Sequence, residues 1–209
     1  LSSEFQRLLP ERYGVQYEAA AQLDPRFRVA GEDTPFTTVT VNKNFRTSAH
    51  RDAGDLHAGF SNLSVIAKDK EWEGGYLVLP EYRVAINIRP GDLLLINNHD
   101  GIHGNTELVP PKGKTLEDME RISLVCYFRE KMLQLGSWEY EALRRRFVAE
   151  RSKDTDHANY RPLWNGVSAN MWQTEEWYDY IRDRGQEKML NDYHPEALNE
   201  TSSLESFFA

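Results

Sequence analysis

Residues 74–107 read GGYLVLPEYRVAINIRPGDLLLINNHDGIHGNTE. Three short apolar runs stand out in this stretch: GYLVLP (75–80), RVAINI (83–88) and DLLLIN (92–97). Each is bounded by Gly, Pro, Asn or Asp, and Pro90-Gly91-Asp92 is a turn that delivers the chain into the third. The same grammar continues outward in FTTVTVN (36–42), NLSVIA (62–67) and ISLVCYF (122–128). Several short strands at this spacing predict an all-β sandwich or barrel. Upstream, residues 4–22 predict a helix, with Phe5, Leu8 and Leu9 near its start and an alanine-rich end before Asp24-Pro25. Downstream the pattern turns helical again over 137–152 and 174–190, and Trp138, Trp164, Trp172 and Trp177 are expected to pack these helices onto the sheet. The expected organisation is mainly β with flanking helices. It is one domain over 1–209, with a helical segment to about residue 34, a β core over about 35–131 and a helical segment over about 132–209.

The 209 residues are 40% hydrophobic and 28% charged, the balance of a soluble globular chain rather than a disordered one. No window approaches the roughly 18 apolar residues of a membrane span. The first residues, LSSEFQRLLPERY, lack the basic, apolar, small-residue order of a secretory signal. A single cysteine, Cys126, excludes an internal disulfide framework and a cysteine-based zinc site. The expected setting is cytoplasmic or nuclear, or the host-cell cytoplasm for a viral protein, with no membrane partner and a monomeric state. The net charge of −8 is unevenly placed: residues 154–209 hold 11 acidic against 4 basic side chains, so the rest is nearly balanced. Within that balanced part lie a basic cluster (Lys43, Arg46, Arg51) and the run Arg144-Arg145-Arg146. Local field, not net charge, governs contact with phosphates, so DNA remains an admissible partner.

The chemistry concentrates at His50, Asp52 and His103. In an extended segment residues i and i+2 point to one face, so His50 and Asp52 can present an imidazole and a carboxylate together. A distant histidine then completes a facial set of two nitrogens and one oxygen, the arrangement that holds non-haem Fe(II) and leaves positions open for a co-substrate and O₂. By itself His-x-Asp is equally a polar surface pair. Arg121-Ile122-Ser123, 18 residues beyond His103, sharpens the reading. Arginine grips a carboxylate in a bidentate fork, and Ser123 points the same way two positions on. Together these residues follow the pattern of a 2-oxoglutarate dioxygenase. His99 rivals His103 for the distal position, and Asp100 rivals Asp52. His57, His157 and His194 have no partner pattern and are expected in solvent or packing roles.

Four stretches, TVTVNKNFRTSAHRDAGD (38–55), GGYLVLPEY (74–82), GDLLLINNHDGIHGNTE (91–107) and RISLVCYFREK (121–131), resemble the catalytic core of the TET/JBP dioxygenases. These are the methylcytosine oxygenases and the thymine hydroxylases of base J synthesis. The resemblance covers about half the chain, and the short chain is similar to the compact versions of phages, fungi and protists, as expected of a minimal catalytic unit. It implies a double-stranded β-helix (jelly-roll, cupin-like) core, Fe(II), 2-oxoglutarate and O₂ as co-substrates, and oxidation of a pyrimidine 5-methyl group in DNA.

Carried over by position, the resemblance makes His50, Asp52 and His103 the iron ligands, the last through its His-x-Asn-Thr context. Arg121, with Ser123, binds 2-oxoglutarate. Tyr127 matches the aromatic on which the target base stacks, Asp55 the acid that meets its Watson–Crick edge, and Arg129 stands where some relatives have a base-contacting histidine. Asn42, Asn44 and Arg46 are candidates for other cavity contacts, Arg46 toward the co-substrate and Asn42 toward the base. Asp55 can accept from the amine of cytosine or from the ring N–H of thymine. 5-Methylcytosine, giving 5-hydroxymethylcytosine and further oxidation products, is the expected substrate, with thymine the alternative. A dioxygenase acting on a small molecule or protein side chain, and a non-catalytic β-barrel binding module, are the remaining readings.

Overall fold

The computed structural model describes residues 1–68, 71–151 and 174–191. Trp164, Trp172, His157 and His194 lie outside them. The chain divides into two compact units, Leu1–Gln134 and Leu135–Ala209.

The first unit opens with helices α1 (Ser2–Leu8) and α2 (Pro10–Ala21). One continuous helix was expected here, and Pro10 is the reason there are two. Proline holds the preceding residue out of the helical region, and Leu9 sits at φ −137°, ψ 64°. Pro10 then occupies the first turn of α2, where its missing N–H is harmless.

Nine strands follow among the described residues. They are β1 (Thr38–Lys43), β2 (Ser61–Ala67), β3 (Glu73–Gly74), β4 (Leu77–Leu79), β5 (Val84–Ile86), β6 (Leu93–Ile96), β7 (Gly104–Asn105), β8 (Leu108–Val109) and β9 (Arg121–Tyr127). All named pairings are antiparallel. The largest sheet runs β1-β9-β2-β6, a second runs β5-β4-β7, and β3 pairs with β8. The six strands predicted from apolar runs are all present. The three two-residue strands were not predicted, because two residues carry no periodicity to read.

An apolar core of Val65, Trp72, Leu77, Ile88, Ile96, Leu108 and Met119 draws side chains from all three sheets and their connections. The other face of β9 turns Cys126 into a cluster with Phe5 of α1 and Phe36. One sheet face is thus closed by the N-terminal helix, and the odd-numbered positions of β9 are left for the interior. β1 inverts the usual pattern: Val39 and Val41 are exposed, while Thr40 and Asn42 face inward. Polar side chains on an inward face mark a lined cavity rather than a packed core.

The second unit contains α3 (Trp138–Arg151), α4 (Thr174–Arg182) and α5 (Lys188–Asn191). Leu143 and Phe147 on α3 and Trp177 and Ile181 on α4, each pair spaced i, i+4, make its core. Trp177 is buried inside this unit, edge-on to Tyr140 at 5.7 Å. Among the described residues no helix is long and apolar enough to cross a membrane.

Candidate functional site

A cavity of about 420 Å³ opens on the inner face of β1 and β9. Its lining includes His50, Asp52, Asp55, His103, Arg121, Ser123, Tyr127, Arg129 and Asn42. Residues as far apart in sequence as Thr40 and Arg129 meet there.

The register explains the gathering. β1 and β9 pair Asn42 with Ser123, Thr40 with Val125 and Thr38 with Tyr127, so alternate side chains of both strands share the inner face. The Thr40 hydroxyl bonds the Tyr127 hydroxyl at 3.4 Å, which helps hold that ring. Beyond β1 the chain is tied by isolated bridges rather than by a named strand until β2. His50 and His103 exchange both backbone hydrogen bonds at 2.9 Å, and the Asp52 amide donates to the Asn98 carbonyl at 2.9 Å. On its other side the Glu130 amide donates to the Gly54 carbonyl and Asp55 bridges Arg129. The HRDAGD segment is therefore held between the loop after β6 and the end of β9. Gly104 keeps that approach close, because a Cβ would lie 3.0 Å from the Ala49 backbone nitrogen and the chain would have to give by a few tenths of an ångström.

His50 and Asp52 do share a face, and His103 is the histidine that joins them. His50 Nε2 lies 3.2 Å from Asp52 Oδ1 and His103 Nε2 lies 3.5 Å from Asp52 Oδ2. Both Nδ1 atoms face carbonyls, Ser48 at 2.8 Å and Gly101 at 3.0 Å. A carbonyl only accepts, so each Nδ1 carries the hydrogen, and each Nε2 faces the carboxylate as a lone pair in the neutral ring or as a donor when protonated. Three acceptors so directed are reconciled by a proton or by a cation. Separations of roughly 3.0–3.4 Å are what ligands about 2.1 Å from one ion adopt, so the residues fit a divalent metal. The same proximity shapes their titration. The hydrogen bond from His103, against the cost of burial, holds the Asp52 carboxyl below its ordinary value. Burial disfavours the His103 imidazolium, but Asp52 and the Gly101 carbonyl outweigh it and raise the pKa.

Arg121 is 5% exposed and its Nε has no hydrogen-bond partner. Its guanidinium lies 5.9 Å from the Trp72 ring centre, and burial, then the charge of Arg89, lower its pKa. A buried guanidinium that lines the cavity, with an Nε–H that no protein group takes up, fits an anionic group bound there. Asp55 is 8% exposed, and burial pushes its carboxyl up to about 6 against the opposing Ser61 hydrogen bond. That bond, 2.8 Å from Ser61 Oγ to Oδ2, leaves Oδ1 to serve a ligand.

The structure separates the sequence candidates that spacing left together. His99 turns away, its Nδ1 donating to the Asp55 carbonyl at 2.9 Å, and it groups with His57 and Asp100 instead. Arg46 lines a neighbouring hollow with Pro80 and Thr106, not the triad cavity. Asn44 is a clamp: Nδ2 donates to the Leu116 and Met119 carbonyls, both at 2.7 Å, and Oδ1 accepts from the Arg121 amide at 3.0 Å. The basic cluster is partly neutralised, with Lys43 4.0 Å from Glu120 and Arg51 3.1 Å from Glu81. In the second unit Arg144 lies 3.3 Å from Glu141. Asn98 was not anticipated. It lines the cavity, is 4% exposed and leaves Oδ1 without a partner. Its only sequence signal is the NNHD turn after an apolar strand.

Among known proteins, thymine dioxygenase JBP1-B of Trypanosoma cruzi (strain CL Brener) is 36% identical over 129 residues, 62% of this chain and 14% of the relative. Thymine dioxygenase JBP1 of Leishmania braziliensis is 33% identical over 175 residues, 84% of this chain and 19% of the relative. The chain thus spans less than a fifth of the length of these relatives. Among solved structures, NgTET1 in complex with 5mC DNA superposes with a TM-score of 0.52 at 15% identity, over 69% of this chain and 53% of that one. This likeness is one of fold. Residues 1–130 match the Tet_JBP family, the oxygenase domain of the 2OGFeDO superfamily, and the chain belongs to that family.

Proposed function

We propose that this chain is an Fe(II)- and 2-oxoglutarate-dependent dioxygenase that oxidises the 5-methyl group of 5-methylcytosine in DNA to the hydroxymethyl base and beyond. The observation that carries the reading is one cavity holding both the His50-Asp52-His103 acceptor set and a buried Arg121 with an unpaired N–H. The sheets β1-β9-β2-β6 and β5-β4-β7 are read as the two walls of a double-stranded β-helix, a proposal supported by the family match and the likeness to NgTET1.

In this reading Nε2 of His50 and of His103 and the Asp52 carboxylate hold the iron. Bound iron, with 2-oxoglutarate and O₂, supplies the oxidising power for hydroxylating a C–H bond. The protein's part is orientation and exclusion of water. Arg121 and Ser123, on one face of β9, take the distal carboxylate of the co-substrate. Leu63, Leu77 and Ile88 give the cavity an apolar wall. A base inside a duplex must be extruded to reach such a cavity and held there by stacking and edge contacts. Tyr127 offers the stacking ring, Asp55 Oδ1 accepts from the N4 amine, Arg129 donates to N3, and Asn42 lies within reach of the same pocket. DNA as substrate places the protein's work inside a cell.

Thymine is the second reading, supported by relatives at 33–36% identity that are named thymine dioxygenases. There Asp55 accepts the N3–H and Arg129 donates to a ring carbonyl. The deciding experiment is mass spectrometry of nucleosides after incubating the protein with Fe(II), 2-oxoglutarate and DNA carrying both bases. One added oxygen on 5-methylcytosine supports the first reading, and the same gain on thymine replaces it with the second. Consumption of 2-oxoglutarate with neither base changed removes DNA as the substrate and leaves the cofactor chemistry standing.

A further inference from the structure

His57, His99 and Asp100 form a second three-residue group, with one ligand atom from each within 4.8 Å of the others. His57 Nε2 lies 3.4 Å and His99 Nε2 4.0 Å from the same oxygen, Asp100 Oδ1. The two rings meet edge-on at 4.9 Å. Ligands about 2.0–2.1 Å from a tetrahedral ion stand roughly 3.3 Å apart. Of the three edges of such a shell, His57–Asp100 is already formed, His99–Asp100 is less than an ångström too long, and His57–His99 lies within 4.8 Å.

The orientation of these groups is controlled from behind, as it is in the His50-Asp52-His103 set. His99 gives its Nδ1 hydrogen to the Asp55 carbonyl at 2.9 Å, which leaves Nε2 as a lone pair facing the group. Asp100 takes the Asn97 amide on Oδ2 at 2.8 Å, which turns Oδ1 toward the histidines. Asn97 Oδ1 accepts from the backbone amides of His99 and Asp100, at 3.0 and 3.3 Å. Arg51 Nε holds the Asp100 carbonyl at 2.8 Å. A simple ion pair between His57 and Asp100 accounts for two of the three residues. It gives no reason for a third, tautomer-fixed imidazole aimed at the same oxygen.

We propose that His57, His99 and Asp100 are a second metal site, distinct from the iron site, for Zn(II) or another borderline divalent ion such as Co(II) or Ni(II), with solvent completing the shell. Two imidazoles and one carboxylate suit these ions, whereas Mg²⁺ and Ca²⁺ require all-oxygen shells. The side chains of His57 and Asp100 are 69% and 54% exposed, so the ion enters from solvent without passing through the cavity. The ion ties the segment carrying His50, Asp52 and Asp55 to the loop carrying His103. Its role is that of a staple on the two chain segments that shape the cavity, and it acts on Asp55 through the carbonyl that His99 holds.

The test counts metal equivalents on the metal-stripped 209-residue chain, using Zn(II) in competition with a chromophoric chelator and Co(II) absorption as a second readout. Wild type is expected to bind two equivalents, Asp52→Ala one, His57→Gln one, and the double variant none at the same strength. Asp52→Ala should retain the Co(II) ligand-field bands of a four- or five-coordinate site, and adding His57→Gln should erase them. Asn97→Ala, which touches no metal, should weaken the second site by about 10–100-fold by freeing Asp100. Two equivalents persisting in His57→Gln overturn the proposal. So does a single wild-type equivalent that Asp52→Ala removes, and that result leaves the iron reading intact. His57 is exposed, so its replacement leaves the fold undisturbed.

Discussion

Asn44 stands at the junction of β1 with the cavity, and replacing it separates two physical contributions that the structure superimposes. Its φ of +48° places it in the left-handed region, where asparagine is tolerated and alanine is strained by about 1 kcal/mol. Its side chain makes three hydrogen bonds, of which those to the Met119 carbonyl and from the Arg121 amide are partly buried. The third, to the Leu116 carbonyl, is exposed, and water can replace it. At about 1 kcal/mol for each buried bond, Asn44→Ala loses about 2 kcal/mol of hydrogen bonding and about 1 kcal/mol through φ. Asn44→Gly loses the same bonds without the φ strain, and keeps only glycine's smaller entropic penalty. Equilibrium urea unfolding followed by far-UV circular dichroism should show a loss of about 3 kcal/mol for Ala, a midpoint lower by about 1–2 M. Gly should recover part of that loss. An alanine variant within about 0.5 kcal/mol of wild type would refute the clamp. A glycine variant as unstable as the alanine one would refute the assignment of φ strain.

Three further outcomes follow from single sites. A Cβ on Gly74 would sit 1.9 Å from the Glu107 carbonyl oxygen at a φ of +70°, so Gly74→Ala should cost more than about 4 kcal/mol and lower Tm steeply; an unchanged Tm would contradict the β3–β8 pairing. Arg121→Lys removes the bidentate fork and should raise KM for 2-oxoglutarate by about 10–100-fold with kcat little altered, measured as succinate release; an unchanged KM would move the carboxylate site elsewhere. Trp177 is 5% exposed in the helical unit, and Trp177→Ala should cost about 3–5 kcal/mol there, seen as faster amide exchange through α3 and α4. Unchanged exchange would show that this cluster does not hold the helices.

What the sequence determined alone was local in origin. Alternation put His50 with Asp52 and Arg121 with Ser123 on common faces, since a side-chain period of two is a property of the extended backbone. Turn residues bounded the six longer strands, and the helical pattern over 137–152 and 174–190 anticipated α3 and α4, although α4 stops at Arg182 and α5 begins at Lys188. Pro10 was equally visible, and its break after Leu9 follows from local sterics. The rest waited on strand pairing, which joins positions whose separation no local pattern encodes. His103 meets Asp52 because its backbone exchanges hydrogen bonds with His50. His99, four residues earlier in the same loop, has its Nδ1 drawn to the Asp55 carbonyl and its Nε2 turned to Asp100. Asn44, a cavity candidate through the family resemblance, became the clamp behind Arg121, because the loop before β9 brings two carbonyls to it. Arg46 lies in the adjoining hollow, two residues beyond the left-handed position at Asn44. Chemistry-bearing residue types are written in one dimension, but which of them converge is decided by register, a long-range property of the folded chain.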